Sequence, residues 1–128
     1  MPIDRLQHIN TRSSDVEATR AFYVRILGLR VGERPPFQSS GYWMYLGDDP
    51  ILHLVQRPPG EEPQAGSGNL DHIGFRGVDL AATRAALDAA GIEYREQVVP
   101  RDGTVQIFVR DPDGIKVDLN FPAEPVRG

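Results

Sequence analysis

The chain has no cysteine, which excludes a disulfide framework, a thiolate metal site and a thiol nucleophile together. Any metal held by its side chains must be held by histidine and carboxylate. Lysine is nearly absent too. Thirteen of the 14 basic residues are arginines scattered along the chain, and against 18 acidic residues they leave a net charge of −4. That balance argues against a nucleic-acid or anionic-membrane footprint. No apolar run approaches the ~18 residues needed to span a bilayer. The opening MPIDRLQHIN has neither the apolar core of a secretory leader nor the character of an organellar presequence, so a cytoplasmic location is expected.

What is present is an ordinary globular composition, 40% apolar and 25% charged over 128 residues, enough for one domain with a real core. Gly and Pro together number 24, and they cut the chain into short segments like brief strands joined by tight turns.

The chain repeats itself. Sliding it by 64 residues sets His8 on His72, Ile9 on Ile73, Arg12 on Arg76, Asp15 on Asp79, and Ala18 to Ala21 on Ala82 to Ala85. Eight identities in 14 positions, where about one is expected of unrelated segments, mark a duplicated module. Each copy opens with a short apolar run, Ile3 to Ile9 or Leu70 to Phe75. An N-cap follows at Ser14-Asp15 or Val78-Asp79, then a helical stripe stopped by Gly28 or Gly91. Three strand-like segments complete each copy: Leu29 to Arg34, Tyr42 to Leu46 and Ile51 to Gln56, then Ile92 to Val98, Thr104 to Val109 and Ile115 to Phe121. The fold class read from this is α+β, two βαβββ modules. They occupy residues 1–56 and 70–121 of a single domain, with an exposed linker at 57–69 and a loose tail at 122–128.

The turns Gly47-Asp48-Asp49-Pro50 and Asp111-Pro112-Asp113-Gly114 join the last two strands of each copy. Aligned on them, His53 falls opposite Asp118. The three histidines of the chain therefore occupy two module positions, the first strand (His8, His72) and the last (His53), and Asp118 fills the fourth place. A pseudo-twofold pairing of the modules would let them converge on one ion. Three imidazoles and a carboxylate suit Zn, Ni, Co, Fe(II) or Mn, whereas Ca and Mg prefer more oxygens. Such an ion could act as a Lewis acid or acidify a bound water. Asp118 is the shortest-armed of the four. Trp43, Tyr45 and Phe108 are candidates to line a substrate cavity, with core packing the plainer alternative. Lys116 shares the strand face of Asp118, while Asn10 and Arg12 share that of His8. Each could meet a polar substrate, although the recurrence of Arg12 as Arg76 suits a structural ion pair equally. Asp71, on the opposite strand parity from His72, is expected to be surface charge.

The segments LQHIN, SSDVEATRAFYVRILGLRV, LDHIGF and VRDPDGIKVDL resemble the vicinal oxygen chelate superfamily. Its members include glyoxalase I, bleomycin-resistance proteins, fosfomycin-resistance enzymes, methylmalonyl-CoA epimerase and extradiol dioxygenases. The resemblance runs from about Ile3 to Phe121, and AFYVRILGL and DPDG are its most specific strings. It implies a mixed β-sheet curled into a half-barrel with flanking helices, commonly in a homodimer. It also implies metal ligands at His8, His53, His72 and Asp118. Glyoxalase I-like enzymes usually carry Glu at the last-strand positions, and this chain has His53 and Asp118 instead. The implied function is a metal-dependent lyase or isomerase of small molecules. Substrate would chelate through two adjacent oxygens, and Asp118 or a metal-bound hydroxide would accept a proton. The alternatives are an Fe(II) extradiol-type dioxygenase and a metal-free, bleomycin-resistance-like binding protein.

Overall fold

The computed structural model describes residues 2–62 and 66–125. The chain divides into two compact units, Met1–Pro63 and Gln64–Gly128. The first holds β1 (Ile9–Ser13), α1 (Val16–Arg25), β2 (Arg30–Gly32), β3 (Gly41–Leu46) and β4 (Asp49–Gln56). The second repeats the order with β5 (His72–Arg76), α2 (Leu80–Ala90), β6 (Arg95–Val98), β7 (Val105–Arg110) and β8 (Lys116–Phe121). Each unit builds one four-stranded sheet, β1-β4-β3-β2 or β5-β8-β7-β6. In both, the first strand runs parallel to the last and the other pairs are antiparallel. Two α+β modules of βαβββ order are thus what the duplicated sequence makes.

The helices start where the caps anticipate. The Asp15 carboxylate accepts from the Ala18 amide at 3.1 Å and that of Asp79 from Ala82 at 3.0 Å, satisfying an amide with no partner inside the helix. At its far end α2 is closed by Gly91 at φ +66°, a left-handed conformation that glycine adopts without a Cβ penalty. In the second unit the Asp111 carboxylate accepts from the amides of Asp113 at 2.9 Å and Ile115 at 3.0 Å, which shapes the turn into β8.

In the first unit α1 lies on one face of the sheet, and in the second the corresponding face is likewise the buried one. Leu52, Leu54 and Met44 are buried with Phe22, Tyr23 and Ile26 in the first unit, and Val105, Ile107, Val109, Val117 and Leu119 with Leu87 in the second. The opposite faces carry the candidate site residues.

The first strand corrects the sequence reading. It spans Ile9–Ser13 rather than Ile3 to Ile9, and Ile3 and Leu6 are 73% and 81% exposed. The buried positions of β1 are Thr11 and Ser13, small hydroxyls that fit beneath α1, where Ser13 Oγ and Thr19 Oγ1 lie 2.8 Å apart. An apolar-alternation rule passes over a strand whose core side is hydroxylic. The linker is less free than its composition implies. Glu61 ion-pairs Arg12 at 2.5 Å and Arg57 at 3.2 Å, holding its first part against the unit it leaves. Residues 63–65 of the linker and 126–128 of the tail lie outside the described residues.

Candidate metal centre

The register places the expected ligands in matching positions. His53, in β4, lies opposite Asn10 on one side and Trp43 on the other, while Asp118, in β8, lies opposite Gly74 and Phe108. Cross-strand partners project to the same side of a sheet, so the last-strand ligand and the aromatic beside it face away from the helix in both units. His8 immediately precedes β1, and His72 is the first residue of β5.

In the first unit these residues form a stack of three rings. The His8 and His53 centroids are 4.0 Å apart at 14°, and Trp43 lies on the other face of His53, again at 4.0 Å and at 6°. Burial of His53, reinforced by His8 beside it and by Arg34, holds its pKa below the ordinary imidazole value against an opposing hydrogen bond to the Pro50 carbonyl. Neutral imidazole is the form that ligates metal. A cavity of about 350 Å³ opens beside the stack, lined by Arg5, Leu6, Trp43, Pro50 and His53 among others.

In the second unit His72 Nε2 lies 3.3 Å from Asp118 Oδ2, and His72 Nδ1 lies 2.8 Å from Asp71 Oδ2. Asp118 is 6% exposed, and its other oxygen accepts from Asn120 Nδ2 at 3.2 Å. Asn120 Oδ1 accepts from Gln106 at 2.9 Å, and Gln106 Oε1 from Gln97 at 2.7 Å. The amides thus form a one-directional ladder across three strands that ends on Asp118 and fixes its carboxylate as an acceptor. Gly74 makes room for it, since a Cβ there would lie 2.7 Å from Asp118 Oδ1.

These donors fit a divalent ion. Each imidazole has one ring nitrogen beside an acceptor: His8 Nδ1 at Gln7 Oε1 (3.0 Å), His53 Nε2 at the Pro50 carbonyl (3.1 Å) and His72 Nδ1 at Asp71 (2.8 Å). In neutral rings with the proton on those nitrogens, the opposite nitrogen carries a lone pair. A carboxylate holding the distal N–H is the usual support of a ligating histidine. The structure brings the candidate ligands together as two pairs, one in each unit. Among the described residues no group of three or more His, Cys, Asp or Glu side chains is assembled for a metal.

The remaining candidates divide. Trp43 stacks on His53, and Phe108 lies beside Asp118 in register with its ring under Arg95, 4.9 Å from the guanidinium carbon. Lys116 is opposite His72 and ion-pairs Asp71 at 3.2 Å. Asn10 is exposed and in register with His53. Arg12 is held by Glu61. Tyr45 donates to the Glu33 carbonyl at 2.6 Å, with Arg30 over its ring. Asp71 is not bland surface charge. It precedes β5 rather than lying within it, so strand parity does not govern its side chain, and it bridges His72 and Lys116. The sequence singles out no role for Asn120, although its spacing from Asp118 puts both on one strand face. Gln106 and Gln97 became legible only through the register.

A family model described as the Glyoxalase/Bleomycin resistance protein/Dioxygenase superfamily matches residues 5–119. A lactoylglutathione lyase of Salmonella typhimurium is 29% identical over 97% of both chains. A probable chloroplastic lactoylglutathione lyase of Arabidopsis thaliana is 28% identical over 90% of this chain, which spans only 35% of that longer protein. Among solved structures, a glyoxylase/bleomycin resistance protein/dioxygenase domain from Frankia superposes with a TM-score of 0.77 at 18% identity, covering 94% of this chain and 98% of that one. That likeness concerns the fold.

Proposed function

The chain belongs to the glyoxalase/bleomycin resistance protein/dioxygenase superfamily, and we propose that within it this protein is a metal-dependent lyase or isomerase of small molecules bearing two adjacent oxygens. The observation that carries the reading is the register equivalence of His53 and Asp118, each beside the histidine at the start of its own module's first strand. The lactoylglutathione lyases among its relatives support the reaction class.

His8, His53, His72 and Asp118 would hold the ion, one of Zn, Ni, Co, Mn or Fe(II). When bound, it supplies Lewis acidity that stabilises negative charge developing on a substrate oxygen. Asp118 would act through Oδ2, either as the fourth ligand or as the proton acceptor, because Asn120 holds its other oxygen. Asp71 keeps the His72 ring oriented, and Trp43 and Phe108 limit water on the two sheet faces. A homodimer also belongs to the proposal. β1 and β5 are the outer strands of their sheets, and the repeat-related Leu6 and Leu70 before them are 81% and 55% exposed, which favours cover by a second copy. No described helix is long and apolar enough to cross a membrane.

The test is formation of lactoylglutathione from methylglyoxal and glutathione by metal-reconstituted protein, before and after chelation, with oxygen uptake on a catechol as a second channel. Chelator-sensitive conversion without oxygen uptake is expected. Oxygen consumption with anaerobically loaded iron would place the protein with the dioxygenases. Ligand binding with no turnover and no chelator effect would place it with the binding proteins.

A further inference from the structure

The second unit carries a cavity of about 730 Å³ beside its ligand pair, lined by Arg95, Phe108, Arg110 and Lys116 with Glu93 and Tyr94. Three cations against one carboxylate is an unusual lining for a chain whose net charge is −4. The sheet register places them together, for Phe108 pairs with Asp118 and Arg95, and Lys116 pairs with Arg110 and His72. From this we infer that the cavity is an oxyanion subsite, which takes a carboxylate or phosphate carried on a flat organic body.

The cations are presented for that purpose. The Arg95 guanidinium lies over the Phe108 ring, 4.9 Å from its centroid, and among the described residues it pairs with no carboxylate. A stacked guanidinium is pre-oriented and keeps its N–H fork free for two parallel bonds to an oxyanion. Arg110 Nη1 is anchored on the Gly114 carbonyl at 2.9 Å, leaving its other nitrogens available. Lys116 shares Asp71 with His72, so an incoming anion competes with an exposed carboxylate rather than with a buried one. The volume lies within the range of small-molecule sites.

The first unit supplies the internal control. By register the places of Arg95, Phe108 and Arg110 are taken there by Gly32, Trp43 and Tyr45, and Ile51, two residues before His53, stands where Lys116 precedes Asp118. The aromatic floor persists and none of the three cations recurs at these positions; the stacked arginine of the first unit, Arg30, lies over Tyr45 instead. The cluster of Arg95, Arg110 and Lys116 is therefore a feature of one copy. The subsite rests on the proposed lyase reading only in treating its anion as part of the substrate.

The experiment uses metal-free, full-length protein, so that failure of the subsite and failure to bind metal are read separately. Amide correlation spectra are followed during titration with phenyl phosphate, benzoate and, as the uncharged control, benzyl alcohol. Both or either anion should shift the amides of Arg95, Phe108 and Arg110 while benzyl alcohol leaves them in place, and the tighter anion identifies the charged group. Arg95→Met, which keeps apolar contact with Phe108 at an exposed position, should weaken binding by about tenfold or more, with Arg95→Lys recovering part of the loss. The absence of anion-dependent shifts, equal shifts from benzyl alcohol, or unchanged affinity in Arg95→Met would overturn the assignment.

Discussion

The two modules hold the same skeleton and dress it differently. Both set a candidate ligand at the centre of the last strand, opposite the first strand on one side and an aromatic on the other. Around that shared frame, the first module stacks three rings, His8, His53 and Trp43. The second surrounds Asp118 with amides and cations. Duplication preserved the positions that the backbone fixes and released those that only side chains define. The same contrast runs through the helices. Arg20 of α1 pairs with Glu17 one turn earlier, whereas its repeat partner, Arg84 of α2, reaches Glu96 in β6 and Glu124 beyond the sheet.

The largest expected effect comes from the unequal anchoring of the helices. α1 buries Val16, Thr19, Phe22 and Tyr23, but Leu87 alone is deeply buried on α2. Leu87→Ala should cost roughly 2–5 kcal/mol through the cavity it leaves. Val16→Ala, with three other anchors on its helix, should cost less. Urea unfolding of the two variants measures the difference, and equal losses would mean that the helices are held alike.

A sharper probe of the ligand frames is Gly74→Ala. Its new Cβ would stand 2.7 Å from Asp118 Oδ1, so the carboxylate must turn away from its seat. Metal affinity, measured by competition with a coloured chelator, should fall roughly 10- to 100-fold, the usual range for a lost supporting contact. The register-equivalent residue of the first module is Asn10, which already has a side chain beside His53. Asn10→Ala should therefore leave affinity nearly unchanged.

The smallest effect is electrostatic. Arg84 hydrogen-bonds Glu96 and holds its pKa below the usual carboxylate value of 4.5. A carboxylate with a depressed folded-state pKa stabilises the fold above its unfolded value, and that contribution is lost as pH falls through the folded one. Glu96→Gln should remove this acid sensitivity, lowering stability at pH 7 by no more than about 1 kcal/mol for so accessible a pair. The urea midpoint followed from neutral pH to below 4.5 reads both the size and the sign.

Much of this frame was legible in the sequence because it is written in local signals. The caps at Asp15 and Asp79, the stop at Gly91 and the turn before β8 each depend on a few adjacent residues. The repeat then converted those signals into the equivalence of His53 and Asp118. Other features depend on contacts far apart in the chain. Arg12 and Glu61 are separated by 49 residues, and nothing in the sequence joins them. The hydroxylic core side of β1 hides it from an apolar pattern, and the role of Asp71 turns on where β5 begins. Of the second-unit cations, only Lys116 could be singled out by its place near Asp118, because Arg95 and Arg110 reach the cavity through the register of β6, β7 and β8.

The central claim is that the candidate ligand positions shared by the two copies bind a divalent metal. It is tested most directly by the metal content of the untagged protein after reconstitution, determined by inductively coupled plasma mass spectrometry on wild type, His8→Ala and His72→Ala at matched folding. Near-stoichiometric metal in wild type that is lost in both variants is the expected result. Wild type that stays empty with Zn, Ni, Co, Mn and anaerobic Fe(II), or metal retained when either pair is broken, would contradict it.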